Sequence, residues 1–343
     1  MSALFKKGKM GKLKLKNRIV MPPMCMYASC NSGLLKKFHH THYCARALGG
    51  VGLIIVEATA IEPKGRISIH DLGLWQDAQI KKHKIMNKRC HEFGAKMAIQ
   101  LAHAGRKSGV PTSTPLAPSA IAFSEESPYK MPKAATLKDI QAIKKLFLKA
   151  ALRAKKANYD AIELHAAHGY LLCEFLSALS NKRKDKYGGS LENRCALIVE
   201  IAQSIKEKVK LPLIVRISAH EWMNTGWNLE DSIYLCQELE KVGVDAIHVS
   251  AGGNQNIPEC MPVLEPLYQC DYAKEIKKNI EIPVIAVGLI TTAAQGENLL
   301  NEQFCDYVAY GRELLRSPNF VFDAANKADK RELIHKSYMR AYI

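Results

Sequence analysis

The sequence predicts a β/α barrel of eight parallel strands, preceded by a short hairpin and followed by a C-terminal tail. Three observations carry this. Short, near-continuous apolar runs of strand length alternate with longer segments of helical spacing between residues 18 and 326. Eight such runs can be counted, and strands joined by helical crossovers are parallel and close on themselves at that number. No Gly-x-Gly-x-x-Gly fingerprint follows the first run, which argues against an open doubly wound sheet. The chain is expected to form a single domain over 1–343, with the barrel core at 18–326 and the tail at 327–343.

In chain order, Phe5 to Leu15 alternates around Gly8 and Gly11, as a hairpin that plugs one end of a larger fold would. Arg18 to Met21 is the first strand and runs into Pro22-Pro23-Met24-Cys25-Met26-Tyr27. Phe38 to Leu48 has helical spacing and stops at Gly49-Gly50; Gly52 to Ala58 is apolar enough to be buried on both faces. The pattern then repeats: helix Asp77–Phe93 with strand Lys96–Leu101, helix Leu137–Ala157 with strand Asp160–His165, helix Ser190–Val209 with strand Leu213–Ile217. Helix Leu229–Val242 precedes strand Ala246–Ser250, Asp271–Asn279 precedes Pro283–Val287, and Thr291–Leu300 precedes Tyr307–Tyr310. Arg312 opens the last barrel helix, and Arg331 to Ile343 forms the end of the tail. The proline- and serine-rich stretch Pro111 to Pro132 is long enough to be functional.

Composition narrows the function classes. At 343 residues and 48% hydrophobic content the chain can bury a large core, yet no apolar run approaches a membrane span. Met1 to Lys16 is lysine-rich without an apolar signal core, so no export signal is expected. Ten cysteines lie scattered with no Cys-x-x-Cys pair, which argues against a zinc or iron-sulfur site and suits a reducing cytoplasm. The net charge of +16 is spread over many amphipathic segments without one basic block, so solvated helix faces explain it better than nucleic acid or an anionic membrane.

Catalytic groups of such a barrel lie at the carboxyl ends of its strands. Those ends read Cys25 and Tyr27, Ala58, Gln100, His165 and His168, Arg216, Ser250 with Gly252, Gly288, and Gly311 with Arg312. The stretch Asp160 to Tyr170 is the most telling, because an apolar strand there stops on two histidines, a glycine and a tyrosine. Gly288 and Gly311, with Arg312 at a helix start, suit a phosphate, although glycines also make plain strand-to-helix turns. There is no carboxylate pair, no serine elbow and no His-Glu-x-x-His, and the His165/His168 pair lacks a clear third metal ligand. A cofactor that brings its own chemistry is therefore attractive. Gln100 and Arg216 suit the polar edge of a flavin, Arg216 near N1 and the C2 oxygen, with Cys25 near N5 and the C4 oxygen. Taken singly, Gln100 could be a satisfied core amide and Cys25 a small apolar group.

Six motifs together resemble the Old Yellow Enzyme family of flavin-dependent ene-reductases, and within it the YqjM-like branch. They are Pro-Met-Cys-Met-Tyr (23–27), Gly-Leu-Ile-Ile-Val-Glu-Ala (52–58), Ile-Gln-Leu-Ala-His-Ala-Gly-Arg-Lys (99–107), His-Ala-Ala-His-Gly-Tyr (165–170), Tyr-Gly-Gly-Ser-x-Glu-Asn-Arg (187–194) and Gly-Arg-Glu-Leu-Leu-Arg (311–316). The resemblance implies non-covalent FMN, NADPH or NADH as reductant, and enones, enals or nitroalkenes as substrates. It places flavin contacts at Pro22, Pro23, Met24, Cys25, Ala58, Gln100 and Arg216, and phosphate contacts near Gly288, Gly311 and Arg312. Substrate would be held by Tyr27, His165 and His168, with Tyr170 as the proton donor to the α-carbon. Pro22 departs from the small residue that relatives carry, and it has no N–H to give. Arg340, followed by Tyr342, resembles the arginine that reaches a neighbouring subunit's site, which implies a homodimer or homotetramer.

Overall fold

The computed structural model describes residues 2–342. Eight strands form the ring: β1 (Ile19–Met21), β2 (Leu53–Ala60), β3 (Lys96–Ala102), β4 (Ala161–Ala166), β5 (Leu213–Ser218), β6 (Ala246–Ser250), β7 (Val284–Ala286) and β8 (Tyr307–Ala309). Each pairs in parallel with the next in sequence, and the ring closes where Ala309 of β8 lies opposite Val20 of β1. The surrounding layer is α1 (Lys37–Leu48), α2 (Ile80–His91), α3 (Leu137–Lys156), α4 (Leu191–Val209), α5 (Leu229–Lys241), α6 (Cys270–Lys277), α7 (Ala293–Asn301) and α8 (Phe320–Lys327). The expected eightfold alternation is therefore present. No helix among the described residues is long and apolar enough to cross a membrane.

Local chemistry accounts for the element ends. Thr136 caps α3 reciprocally with Asp139: the Asp139 N–H donates to the Thr136 hydroxyl at 3.1 Å, and the Asp139 carboxylate accepts the Thr136 N–H at 2.9 Å. The last helix differs from the expectation. Arg312 opens only a short helix, Arg312–Arg316, and α8 begins separately at Phe320. Pro318 explains the break, since it forces Ser317 into extended backbone (ψ 99°). Two further pieces escaped the periodicity: a short helix at Leu171–Leu176, and a two-residue parallel pairing of Leu116–Ala117 with Lys133–Ala134 that braces the Pro111–Pro132 loop.

The amino-terminal hairpin (Gly8–Met10 with Leu13–Leu15) closes one end of the barrel. Its Met10, Leu13 and Leu15 pack with Val20, Leu53, Ile55, Ala98, Ala161, Ile214, Ala246, Ile285 and Tyr307, so every strand contributes to one buried cluster. A strand's side chains alternate in and out, so the next inward positions on β3, β4, β5 and β6 are Gln100, Glu163, Arg216 and His248. The following step puts His165, Ser218 and Ser250 at the open rim. Polarity thus rises from plug to rim along β3, β4, β5 and β6.

Candidate active site

β4 delivers His165 and then turns sharply. His168 and Gly169 both adopt positive φ, +58° and +70°. Gly253, on the loop after β6, is needed here: a Cβ on it would sit 2.8 Å from the His168 Cα. This close backbone approach lets the His168 N–H donate to Ser218 Oγ at 2.9 Å while its Nε2 meets Ser250 Oγ at 2.8 Å. The His165 ring stands edge-on to His168 at 5.2 Å and to Tyr170 at 4.9 Å.

Both imidazoles are neutral near pH 7. Burial holds each well below the ordinary histidine range, and the neighbouring Arg216 charge pushes the same way. The Ala167 N–H donates to His165 Nδ1 at 3.3 Å. A main-chain N–H can only donate, so the proton of the neutral ring sits on Nε2, where it can be given to an acceptor. Burial raises the Tyr170 hydroxyl well above its usual value, which keeps it protonated as a donor.

Arg216 is buried, and its Nε has no partner. Such a guanidinium calls for an anionic or acceptor-rich occupant. It opens into a cleft of about 260 Å³ lined by His168, Ser250, Tyr268, Gln269, Gly288 and, at the far end, Gly311, Arg312 and Arg316. Gly288 has φ +148°, and a Cβ there would meet Gln269 at 2.6 Å. Gln269 donates to the Val287 carbonyl at 2.8 Å and leaves its own Oε1 buried and bare. The cleft thus joins an arginine with a bare Nε and the His168 imidazole at one end to glycines and two arginines at the other. That order of groups fits a flat, polar-edged ring carrying a phosphate.

The remaining expected residues fall around it. Ala58 and Gln100 are buried near the ends of β2 and β3, and a Cβ added at Gly311 would meet Met24 Sδ at 3.5 Å and Pro22 Cγ at 3.6 Å. Pro23 and Cys25 lie on the same segment after β1. The Cys25 thiol is pushed up to about 12 by burial and by the charges of Asp71 and Glu57, so it is a neutral thiol rather than a thiolate. Tyr27, also at positive φ (+51°), is half exposed. Arg340 is not brought to this cleft. It lies exposed in the turn Lys336–Tyr342, whose Tyr342 packs on Phe322 and bonds Asp323, beside the hairpin end of the barrel.

Three groups at the site went unassigned by sequence reasoning. Lys107 donates to the His168 and Gly253 carbonyls at 3.0 Å each and lies over the Tyr170 ring; burial lowers it to about 8. Glu57 accepts the Met26 N–H at 2.9 Å and the Tyr43 hydroxyl at 3.1 Å, which anchors the segment bearing Cys25. Glu163 is fully buried beneath the rim. The available signal was parity: Glu163 lies two residues before His165, and Glu57 interrupts an otherwise apolar strand.

The family model of the NADH:flavin oxidoreductase / NADH oxidase family matches residues 3–331. The chain belongs to this family. It is a member of the Old Yellow Enzyme group, an FMN-dependent oxidoreductase that uses NAD(P)H. It is 45% identical to an NADPH dehydrogenase of Listeria monocytogenes over the full length of both chains. An NADPH dehydrogenase of Geobacillus thermodenitrificans is 48% identical over 92% of this chain and 91% of its own. Among solved structures, morphinone reductase superposes with TM-score 0.82 at 27% identity, covering 94% of this chain and 89% of that one. An Old Yellow Enzyme homologue from Zymomonas mobilis gives 0.83 at 26% identity, over 95% and 93%.

Proposed function

We propose that this enzyme reduces the C=C bond of α,β-unsaturated carbonyls and related activated alkenes, such as enones, enals and nitroalkenes, in two half-reactions at one site. The observation that carries the reading is the pair of neutral imidazoles beside a buried arginine whose Nε has no partner. FMN, when bound, supplies hydride transfer between NAD(P)H and the acceptor. Arg216 and Gln100 would hold the ring's polar edge, with Pro22, Pro23, Met24, Cys25 and Ala58 along it, and Gly288, Gly311 and Arg312 would hold the phosphate. Pro22 can contribute only its carbonyl and its ring.

His165 donates from Nε2–H to the substrate carbonyl, and His168 stands beside it. Donors aimed at an oxygen that gains negative charge lower the barrier, by about 3–4 kcal/mol for a single donor in comparable sites. Neutral imidazoles are well suited here, because they hold the oxygen without giving up a proton. The Tyr170 O–H remains as the proton source for the α-carbon. Tyr27 closes the open side of the pocket. Arg340, remote from its own cleft, would serve a neighbouring copy, as in the YqjM-like branch, and the assembly would be a homodimer or homotetramer. Ten free thiols suit a cytoplasmic setting.

The decisive experiment is anaerobic. Enzyme bleached with NADPH is mixed with 2-cyclohexenone and the return of flavin absorbance is followed. Wild type should reoxidise, and His165→Ala should retain FMN but reoxidise far more slowly. A wild type that responds to oxygen and to no activated alkene contradicts the proposal.

A further inference from the structure

Glu163 has no part in the roles above, yet it occupies the middle of the barrel. It points inward on β4, two residues before His165, and is fully buried. Its Oε1 accepts the Gln100 Nε2–H at 2.8 Å and its Oε2 accepts the His248 Nδ1–H at 2.8 Å. His248 keeps its other nitrogen buried and unpartnered. Among the charges acting on Arg216, that of Glu163 comes first. The pairing links β3, β4 and, across β5, β6, so rotating one side chain cannot relieve it.

The geometry has two effects. An amide whose nitrogen is committed to Glu163 must turn its Oε1 the other way, as an acceptor. Arg216, whose Nε meets no protein acceptor, feels the charge of this carboxylate without being paired to it. We propose that Glu163 is a positioning residue for the cofactor's polar edge. It fixes Gln100 as a hydrogen-bond acceptor toward that edge, and its charge competes with the ring for the field of Arg216. Negative charge arriving on the ring is then stabilised less than a lone arginine would stabilise it, which keeps the bound cofactor a stronger reductant. The inference rests on FMN lying in this cleft.

The experiment measures the equilibrium reduction potential and the FMN dissociation constant of reconstituted wild type, Glu163→Gln and Glu163→Asp. Glu163→Gln removes the charge at nearly constant shape, and its potential should shift positive. Glu163→Asp keeps the charge but withdraws it, so its potential should stay near wild type while FMN binds about three- to tenfold more weakly through a misplaced Gln100. A Glu163→Gln potential equal to wild type, or a Glu163→Asp potential that moves as far as Glu163→Gln, overturns the proposal. If Glu163→Gln does not fold, Gln100→Met with Glu163 intact tests the acceptor role. FMN should bind about three- to tenfold more weakly, and an unchanged constant overturns that role. Wild type that takes up no FMN would instead remove the cofactor reading itself, before any variant is compared.

Discussion

The two ends of the same eight strands have opposite chemistry. At the hairpin end, Met10, Leu13 and Leu15 meet Leu53, Ile55, Ala98, Ala161 and Ile214, and the barrel is filled with apolar side chains. Two to four residues further along β3, β4, β5 and β6 the inward positions become Gln100, Glu163, Arg216, His248 and His165, and buried polar atoms remain without partners. The plug end buries apolar area and holds the ring together. The rim keeps bare donors and acceptors, which water or a ligand must satisfy. Stability and chemistry are therefore divided along the strand axis, and substitutions at the two ends should separate cleanly.

The largest effect is expected at the plug. Ile55→Ala should cost about 2–5 kcal/mol of unfolding free energy, by lost transfer and an unfilled cavity, while the folded fraction keeps its full FMN content. Urea denaturation and flavin absorbance read the two quantities separately, and loss of FMN without loss of stability would blur the division. At the rim the pattern reverses. His165→Ala should lower kcat/KM for 2-cyclohexenone by about 10²- to 10³-fold with a urea midpoint close to wild type.

Between the two ends lies Glu57, whose carboxyl is raised from 4.5 to about 7 by burial. A raised acid is more protonated in the folded state, so its contribution is present below pH 4.5 and fades as pH rises through 7. Wild type should lose about 3 kcal/mol of stability over that window from this group, and Glu57→Gln should flatten the loss. Asp71, raised to about 6, leaves a residual slope. Equal slopes for wild type and variant would show that Glu57 is ionised throughout. The smallest change belongs to the outer layer: Thr136→Ala removes the α3 cap and should cost about 1 kcal/mol with no effect on FMN or turnover, measured by the same denaturation and assays.

Much of this division is legible in the residues alone. The strands are short apolar runs between helices with glycine or capped ends, and the expected Leu213–Ile217 falls one residue short of the observed Leu213–Ser218. His165, His168, Arg216, Gly288 and Arg312 stand out because no core requires such residues at a strand end. Glu163 and His248 do not, because an inward polar residue within a strand looks like part of the alternation until its partners on neighbouring strands are known. Tyr268 and Gln269 are hidden for another reason. They reach the cleft through a loop with no period, pinned back where the Leu267 N–H donates to the Gly288 carbonyl at 2.9 Å. The split at Pro318 could have been read from the proline itself.

Arg216 and the cleft beside it carry the central claim. Apoprotein titrated with FMN, followed by quenching of flavin fluorescence, tests it most directly. Wild type should saturate at one FMN per chain, and Arg216→Met should bind at least about tenfold more weakly. A well-folded wild type that leaves FMN in solution, or an Arg216→Met variant that binds it as tightly, contradicts the claim.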